Sequence, residues 1–134
     1  MSAQIAITKR PQKPNVVVTD KELKLKKDVH FQHDSAEILP DSMGILEEAA
    51  DALRGHPEIA SVEIQGHTDD SGTPPYNLRL SSERANAVRE ALILDGVEPN
   101  RLTARGYGQD KPLVPNTNDA NRAKNRRVQL IIQK

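Results

Sequence analysis

The sequence predicts an α+β domain, a two-layer βαβαβ-type sandwich with helices packed on one face of a mixed sheet of about four strands. Three observations lead there. Apolar residues recur at every second position in several short segments and at helical spacing in two longer ones. The two kinds of segment alternate along the chain, which favours crossover connections and a sheet covered by helices. With 134 residues, the chain is long enough to bury roughly two-thirds of its unfolded surface in one core.

Residues 1–15 carry Pro11, Pro14 and three cations and are expected to form a linker or flexible arm, the domain itself spanning 16–134. Val16-Val17-Val18 is a short strand, followed by the turn-like Thr19-Asp20-Lys21. In ELKLKKDVHF the residues Leu23, Leu25, Val29 and Phe31 share one parity, with Lys27 the exception, so a strand with one buried face is expected over 22–31. The period then changes. Leu46, Ala49, Ala50 and Leu53 fall on one helical face, with Glu47, Glu48 and Asp51 outside it. Pro40 suits the first turn of this helix, and Gly55 followed by Pro57 suits its stop.

IASVEIQG alternates again through Val62 and Ile64 and reads as a second long strand. From about Tyr76 a second helix carries Leu80, Ala85, Val88 and Leu92 as its apolar stripe and stops at Asp95-Gly96. RLTARGYG is a short strand, and DKPLVPNTNDANRAKN a polar loop with one helical turn near Asp119. RRVQLIIQ closes the domain as a strand with Val128, Leu130 and Ile132 on one face. No internal repeat is present.

Composition removes several classes of function. Nineteen basic and nineteen acidic residues balance, and aromatic residues make up only 2%, so neither bulk attraction to a polyanion nor a base-stacking platform is available. Nucleic acid is therefore not an expected partner. The absence of cysteine excludes disulfides, thiolate metal sites and cysteine nucleophiles. No apolar run approaches the length of a membrane span, and MSAQIAITKRPQKPN lacks the pattern of a signal peptide. A cytoplasmic protein and an exported domain whose signal lies outside the given chain both satisfy these totals. No oligomeric state follows from them.

The segment IQGHTDDSGTPPYN, between a strand and a long helix, concentrates polar and turn-forming residues. His67 and Asp69 are metal-ligand types, but the donor count is poor and nothing completes a shell. His30 and His33, three apart on an expected strand, would point to opposite faces. His56, before a proline at a helix end, suits a solvated cap. No nucleophile elbow accompanies the serines, so neither a metal, a cofactor nor catalysis is expected. Arg84 is more informative. It shares a helix face with Val88 and Ala91, at the border of the buried stripe, where a guanidinium needs an anionic partner. Asp69, at the end of the preceding strand, is placed to face it, and an internal Asp69–Arg84 ion pair is the simpler expectation from charge alone. Asp70 reads as solvated.

GHTDDSGTPPYNLRLSSERANAVREAL, then RLTARGYGQDKP, then NRRV, with HFQHDSAEI as an opening motif, together resemble the peptidoglycan-binding domain family named after outer-membrane protein A. That OmpA-like family includes the peptidoglycan-associated lipoprotein and the periplasmic part of flagellar motor stators. The resemblance covers roughly residues 29 to 134 in unbroken motif order, and the family's βαβαβ sandwich agrees with the order read above.

The resemblance implies a non-enzymatic, periplasmic domain that tethers an envelope protein of a Gram-negative-type cell to its wall, with membrane association only through parts of the parent protein outside this chain. The implied ligand is the diaminopimelate side chain of the stem peptide, whose free end is a zwitterion. Asp69 corresponds to the aspartate that takes the ammonium, and Arg84 to the arginine that takes the carboxylate. Thr68, Asn77, Leu80 and Arg126 match positions around the site, with Phe31 and Asp34 on the opening loop. Two residues depart from the family's pattern: Gln32 stands where aspartate is frequent, and Asn121 where glycine is common, asparagine being tolerant of left-handed backbone. The competing expectation is an OmpA-like fold used as a protein-interaction module without wall binding.

Overall fold

The computed structural model describes residues 15–133, so the expected arm lies outside the described residues except for Asn15. Five strands form the sheet: β1 (Val16–Val18), β2 (Glu22–Leu25), β3 (Val62–His67), β4 (Leu102–Gly108) and β5 (Arg127–Ile132). Their spatial order is β1-β2-β5-β3-β4, with β3 and β4 parallel and every other pair antiparallel. The short valine run accounts for the count of five, because it joins β2 as a hairpin and supplies an edge.

Three helices accompany the sheet: α1 (Met43–Arg54), α2 (Pro74–Leu94) and α3 (Asp119–Asn125). Alternation along the strands decides which face they cover. Leu23, Val62, Ile64, Leu102, Val128 and Leu130 point to one side and are buried against Leu46, Ala49, Ala50 and Leu53 of α1 and Ala85, Val88 and Leu92 of α2. The stripes expected for both long helices are therefore the ones that pack. The opposite parity, with Glu63, Gln65, Arg105 and Tyr107, forms the face turned away from α1 and α2.

The middle of α2 approaches the sheet to backbone contact. A Cβ on Gly66 would lie 2.2 Å from the Ser81 carbonyl oxygen, and one on Gly106 would lie 2.3 Å from the Ser82 nitrogen. Only glycine admits a helix this close. The helix starts at Pro74, before the expected Tyr76, because Thr73 caps it by accepting the Tyr76 N–H at 3.3 Å while Pro74 supplies a preset first turn. It ends as expected at Asp95, with Gly96 in the left-handed region at φ 100°.

Two expectations are corrected. The strand expected over 22–31 stops at Leu25. The Lys26 N–H closes the β1–β2 hairpin on the Asn15 carbonyl at 2.7 Å, and the chain then leaves the sheet. Val29 is still buried and Phe31 still makes a single bridge to Ile38, so the alternation reported burial without reporting a ladder. The single turn near Asp119 is a complete helix of seven residues, α3, whose N-cap Asn118 accepts the Asn121 N–H at 2.8 Å. Asn121 is thus right-handed helical, and its tolerance for left-handed backbone is not used.

The fully buried Asn125 ends α3 and fastens the preceding loop. Its Oδ1 accepts the N–H groups of Leu113 (2.8 Å) and Val114 (3.2 Å), and its Nδ2 donates to the Val114 carbonyl and to Asn116 Oδ1, both at 2.8 Å. Asn125→Ala leaves these groups without partners and should cost about 2 kcal/mol. Urea titration followed by circular dichroism measures it, and a stability equal to the parent's would contradict that role.

Candidate functional site

Three segments meet at one end of the sheet: the loop 26–39, the exit of β3 into α2, and the junction of α3 with β5. They enclose a cleft of about 420 Å³ whose walls include His30, Phe31, Arg84 and Arg126. The loop holds its shape through backbone bonds from Leu39 N–H to the His30 carbonyl and from Gln32 N–H to the Glu37 carbonyl, both 2.9 Å. The buried Ser42 hydroxyl adds a third tie, accepting the His30 N–H at 2.7 Å.

Asp69 lies two residues beyond the end of β3 and is only 5% exposed. Its Oδ1 accepts the Ser71 N–H at 2.8 Å and its Oδ2 accepts from Arg126 Nη1 at 2.5 Å. Burial by itself would raise its pKa, but the Ser71 N–H and the Arg126 guanidinium outweigh that and hold the carboxyl below the ordinary carboxylate value. It is therefore ionised at neutral pH. Thr68 and Asn77 work behind it: the Thr68 hydroxyl donates to the Asp69 carbonyl at 2.8 Å. Asn77 Nδ2 donates to Gln109 Oε1 at 2.7 Å and shares its other hydrogen between the carbonyls of Asp69 and Gly72, both at 3.3 Å, so one buried amide fixes the whole turn.

Arg84 is half-buried on α2. Its Nε donates to the Ser35 carbonyl at 2.8 Å and its Nη2 reaches the Gln32 carbonyl at 3.5 Å. The guanidinium carbon lies 4.8 Å from the centre of the Phe31 ring. Burial lowers its pKa from the ordinary arginine value. The expected Asp69–Arg84 ion pair is thus not the arrangement found: Asp69 pairs with Arg126, and Arg84 is clamped by the opening loop. Arg84 stands on the cleft wall, and Asp69 lies behind the wall residue Arg126.

Phe31, Arg84 and Arg126 come together on the cleft wall, with Asp69 reaching it through Arg126. Leu80 is buried on α2. Asp34 sits at φ 53°, the one non-glycine residue with positive φ among those described, and accepts the Tyr76 hydroxyl at 2.9 Å. Sequence reasoning did not find this tie, and it also missed the carbonyls of Ser35 and Gln32, because backbone acceptors leave no residue-type signal. Arg84 uses the Gln32 carbonyl, so the identity of the side chain at that departure does not alter the contact.

The histidines are redistributed. His30 and His33 both line the cleft, since they stand on a loop and not on a strand; each lies 3.2 Å from a carboxylate, of Asp41 and Asp34 respectively. His56 lies 2.8 Å from Glu58 Oε2. His67 stacks on Tyr107 with ring centres 5.3 Å apart and places Nε2 3.1 Å from Gln65 Oε1, while its buried Nδ1 has no partner. Burial, then the charges of Arg127 and Lys111, push its pKa down to about 4. Asp70 is exposed, as expected, and lies 3.3 Å from Arg122 Nε. Among the described residues no cluster of three or more His, Asp or Glu could hold a metal ion.

Comparison with known proteins gives the chain's relatives. A model of the OmpA family matches residues 30–126. The chain is 40% identical over 111 residues to outer membrane porin F of Pseudomonas fluorescens, an alignment covering 83% of this chain and 34% of the porin. The chain thus spans about a third of that relative's length. The crystal structure of the peptidoglycan-associated lipoprotein from Burkholderia pseudomallei superposes with a TM-score of 0.72 at 39% identity, covering 81% of this chain and 92% of that one. The periplasmic domain of Helicobacter pylori MotB gives a TM-score of 0.72 at 30% identity, covering 87% and 78%.

Proposed function

Because the chain belongs to the OmpA family, we propose that it binds peptidoglycan non-covalently through the diaminopimelate side chain of the stem peptide, as a periplasmic domain tethering an envelope protein to the wall. The observations that support this reading are an oriented guanidinium on the cleft wall and an ionised carboxylate behind it, joined to the cleft through Arg126. Arg84 is oriented by two carbonyls and an aromatic ring, and Asp69 is ionised and nearly buried. A planar guanidinium fork suits the carboxylate of the zwitterion, and a carboxylate suits its ammonium. The name of the Burkholderia relative associates that protein with peptidoglycan, and the Helicobacter domain is periplasmic, which supports the same setting here.

Each charge-assisted bond contributes about 1.5–3 kcal/mol. Ordering a flexible peptide offsets much of it, so one site should bind in roughly the micromolar to millimolar range. Repetition of the ligand along a polymer then converts weak sites into firm attachment.

Isothermal calorimetry with a soluble stem peptide tests the proposal. Asp69→Ala and Arg84→Ala should each weaken binding by about 10- to 100-fold while the fold, followed by circular dichroism, persists. Replacing diaminopimelate by lysine removes the carboxylate that Arg84 would take and should weaken binding to a similar degree. Equal affinities for the two peptides, or parent-like binding by both variants, would sink it. A folded protein that fails to sediment with purified sacculi would instead favour an interaction module.

A further inference from the structure

The carboxylate proposed to receive an ammonium is already occupied. Asp69 Oδ1 is held by the Ser71 N–H at 2.8 Å, and Oδ2 by Arg126 Nη1 at 2.5 Å, leaving the 7% exposed side chain closed to a newcomer. The two partners of this pair differ in freedom. Asp69 is walled in by its turn, whereas the Arg126 side chain is 49% exposed and projects from the cap of α3 at the junction with β5. If one of them moves, it is the arginine, which can reach water without leaving a buried charge of its own.

Arg126 also shares the cleft with Arg84, and the two like charges oppose each other. A ligand offering only a carboxylate is attracted by both guanidiniums and gives Asp69 nothing to replace its partner. A ligand offering carboxylate and ammonium on one carbon satisfies Arg84 with the first and can exchange the second for Arg126 at Asp69. In the empty cleft, meanwhile, Asp69 is never left buried and unpaired.

We infer that Arg126 is an internal occupant of the Asp69 position, an autoinhibitory contact that the ligand's ammonium displaces on binding. The inference rests on the zwitterion reading of the cleft given above and adds to it a residue that grades ligands by the presence of the ammonium. Arg126 thereby acts as a competitor within the chain, and its guanidinium leaves Asp69 when the right ligand arrives.

Arg126→Gln tests this by calorimetry with two probes: a stem peptide bearing diaminopimelate, and the same peptide with the side-chain ammonium replaced by hydrogen. The variant should bind the first about threefold to tenfold more tightly than the parent does, and the second more weakly. Weakening of both probes together would make Arg126 a plain ligand contact and overturn the proposal, as would no change in either. A thermal melt establishes that the variant is folded. Nitrogen-15 NMR of the arginine side chains in the unaltered protein gives an independent readout. The Arg126 guanidinium signal should move towards its solvent-exposed position on saturation with the diaminopimelate peptide and not with the probe lacking the ammonium. An unmoved signal at saturation would also overturn it. If Asp69→Ala and Arg84→Ala bind like the parent, wall binding itself falls. If they lose binding but Arg126→Gln gains none, only the displacement falls.

Discussion

Gly66→Ala should destabilise the domain by about 3 kcal/mol or more, the largest effect expected of any single methyl group in this chain. The added Cβ would sit 2.2 Å from the Ser81 carbonyl oxygen and 3.0 Å from its carbonyl carbon. Both are main-chain atoms in the middle of a 21-residue helix, so no side chain can rotate away. Relief requires α2 to lift from the sheet, which also breaks the bond from the Gly108 N–H to the Ser81 hydroxyl at 2.9 Å. Arg84 lies one turn further along the same helix, so ligand binding should fall with stability. Gly106→Ala, whose Cβ would meet the Ser82 nitrogen at 2.3 Å, should behave alike. Gly44→Ala is the control: nothing lies within 4 Å of its Cβ in α1, and it should be neutral or stabilising by about 0.5–1 kcal/mol. Urea denaturation of the three variants decides the matter, and a Gly66→Ala protein as stable as the control would refute the contact.

Acid should begin to weaken the fold below about pH 6.5, before most carboxylates titrate. His67 is held neutral, its pKa lowered from 6.5 to about 4 by burial and by Arg127 and Lys111. Between those two values the unfolded chain binds a proton at this site and the folded chain does not, so stability rises with pH across that interval. The contribution is fully present above pH 6.5 and is lost progressively as pH falls towards 4, amounting to about 3 kcal/mol. Asp69 acts in a separate window. Its carboxyl is lowered, so its contribution is present above the ordinary carboxylate pKa and disappears only as pH falls through the still lower folded value. Chemical denaturation at pH 7 and pH 4.5 should therefore differ far less for His67→Gln than for the parent. An undiminished difference in the variant would assign the acid sensitivity to other groups.

Much of this architecture was legible because burial leaves a periodic mark. Leu46, Ala49, Ala50 and Leu53, and then Leu80, Ala85, Val88 and Leu92, announced two helices and the faces they bury. Where periodicity and pairing separate, the sequence misled: Val29 and Phe31 keep the strand parity after the ladder has ended at Leu25. Helix α3 was nearly invisible for the opposite reason. It buries Asn125 instead of an apolar stripe, and its clearest local sign was the cap residue Asn118. Charge reasoning identified Arg84 as a guanidinium needing a partner but could not foresee that carbonyls of a loop 49 residues away would orient it. The Asp69–Arg126 pair spans 57 residues and depends on how β3 and β5 register, which no local pattern encodes.

That register has a consequence for how the molecule comes into being. Strand β5, the last of the described strands, is inserted between β2 and β3, near the centre of the sheet, and pairs Leu130 with both Leu23 and Ile64. During vectorial synthesis the earlier strands must wait, as a hairpin on one side and a parallel pair on the other, until residues 127–132 arrive to join them. A chain interrupted before that point lacks the strand that bridges β2 to β3, and only the helix layer then joins the two parts. Arg126 lies immediately before β5, so the cleft acquires its last wall in the same event that closes the sheet. The segment that completes the sheet thus also completes the cleft wall.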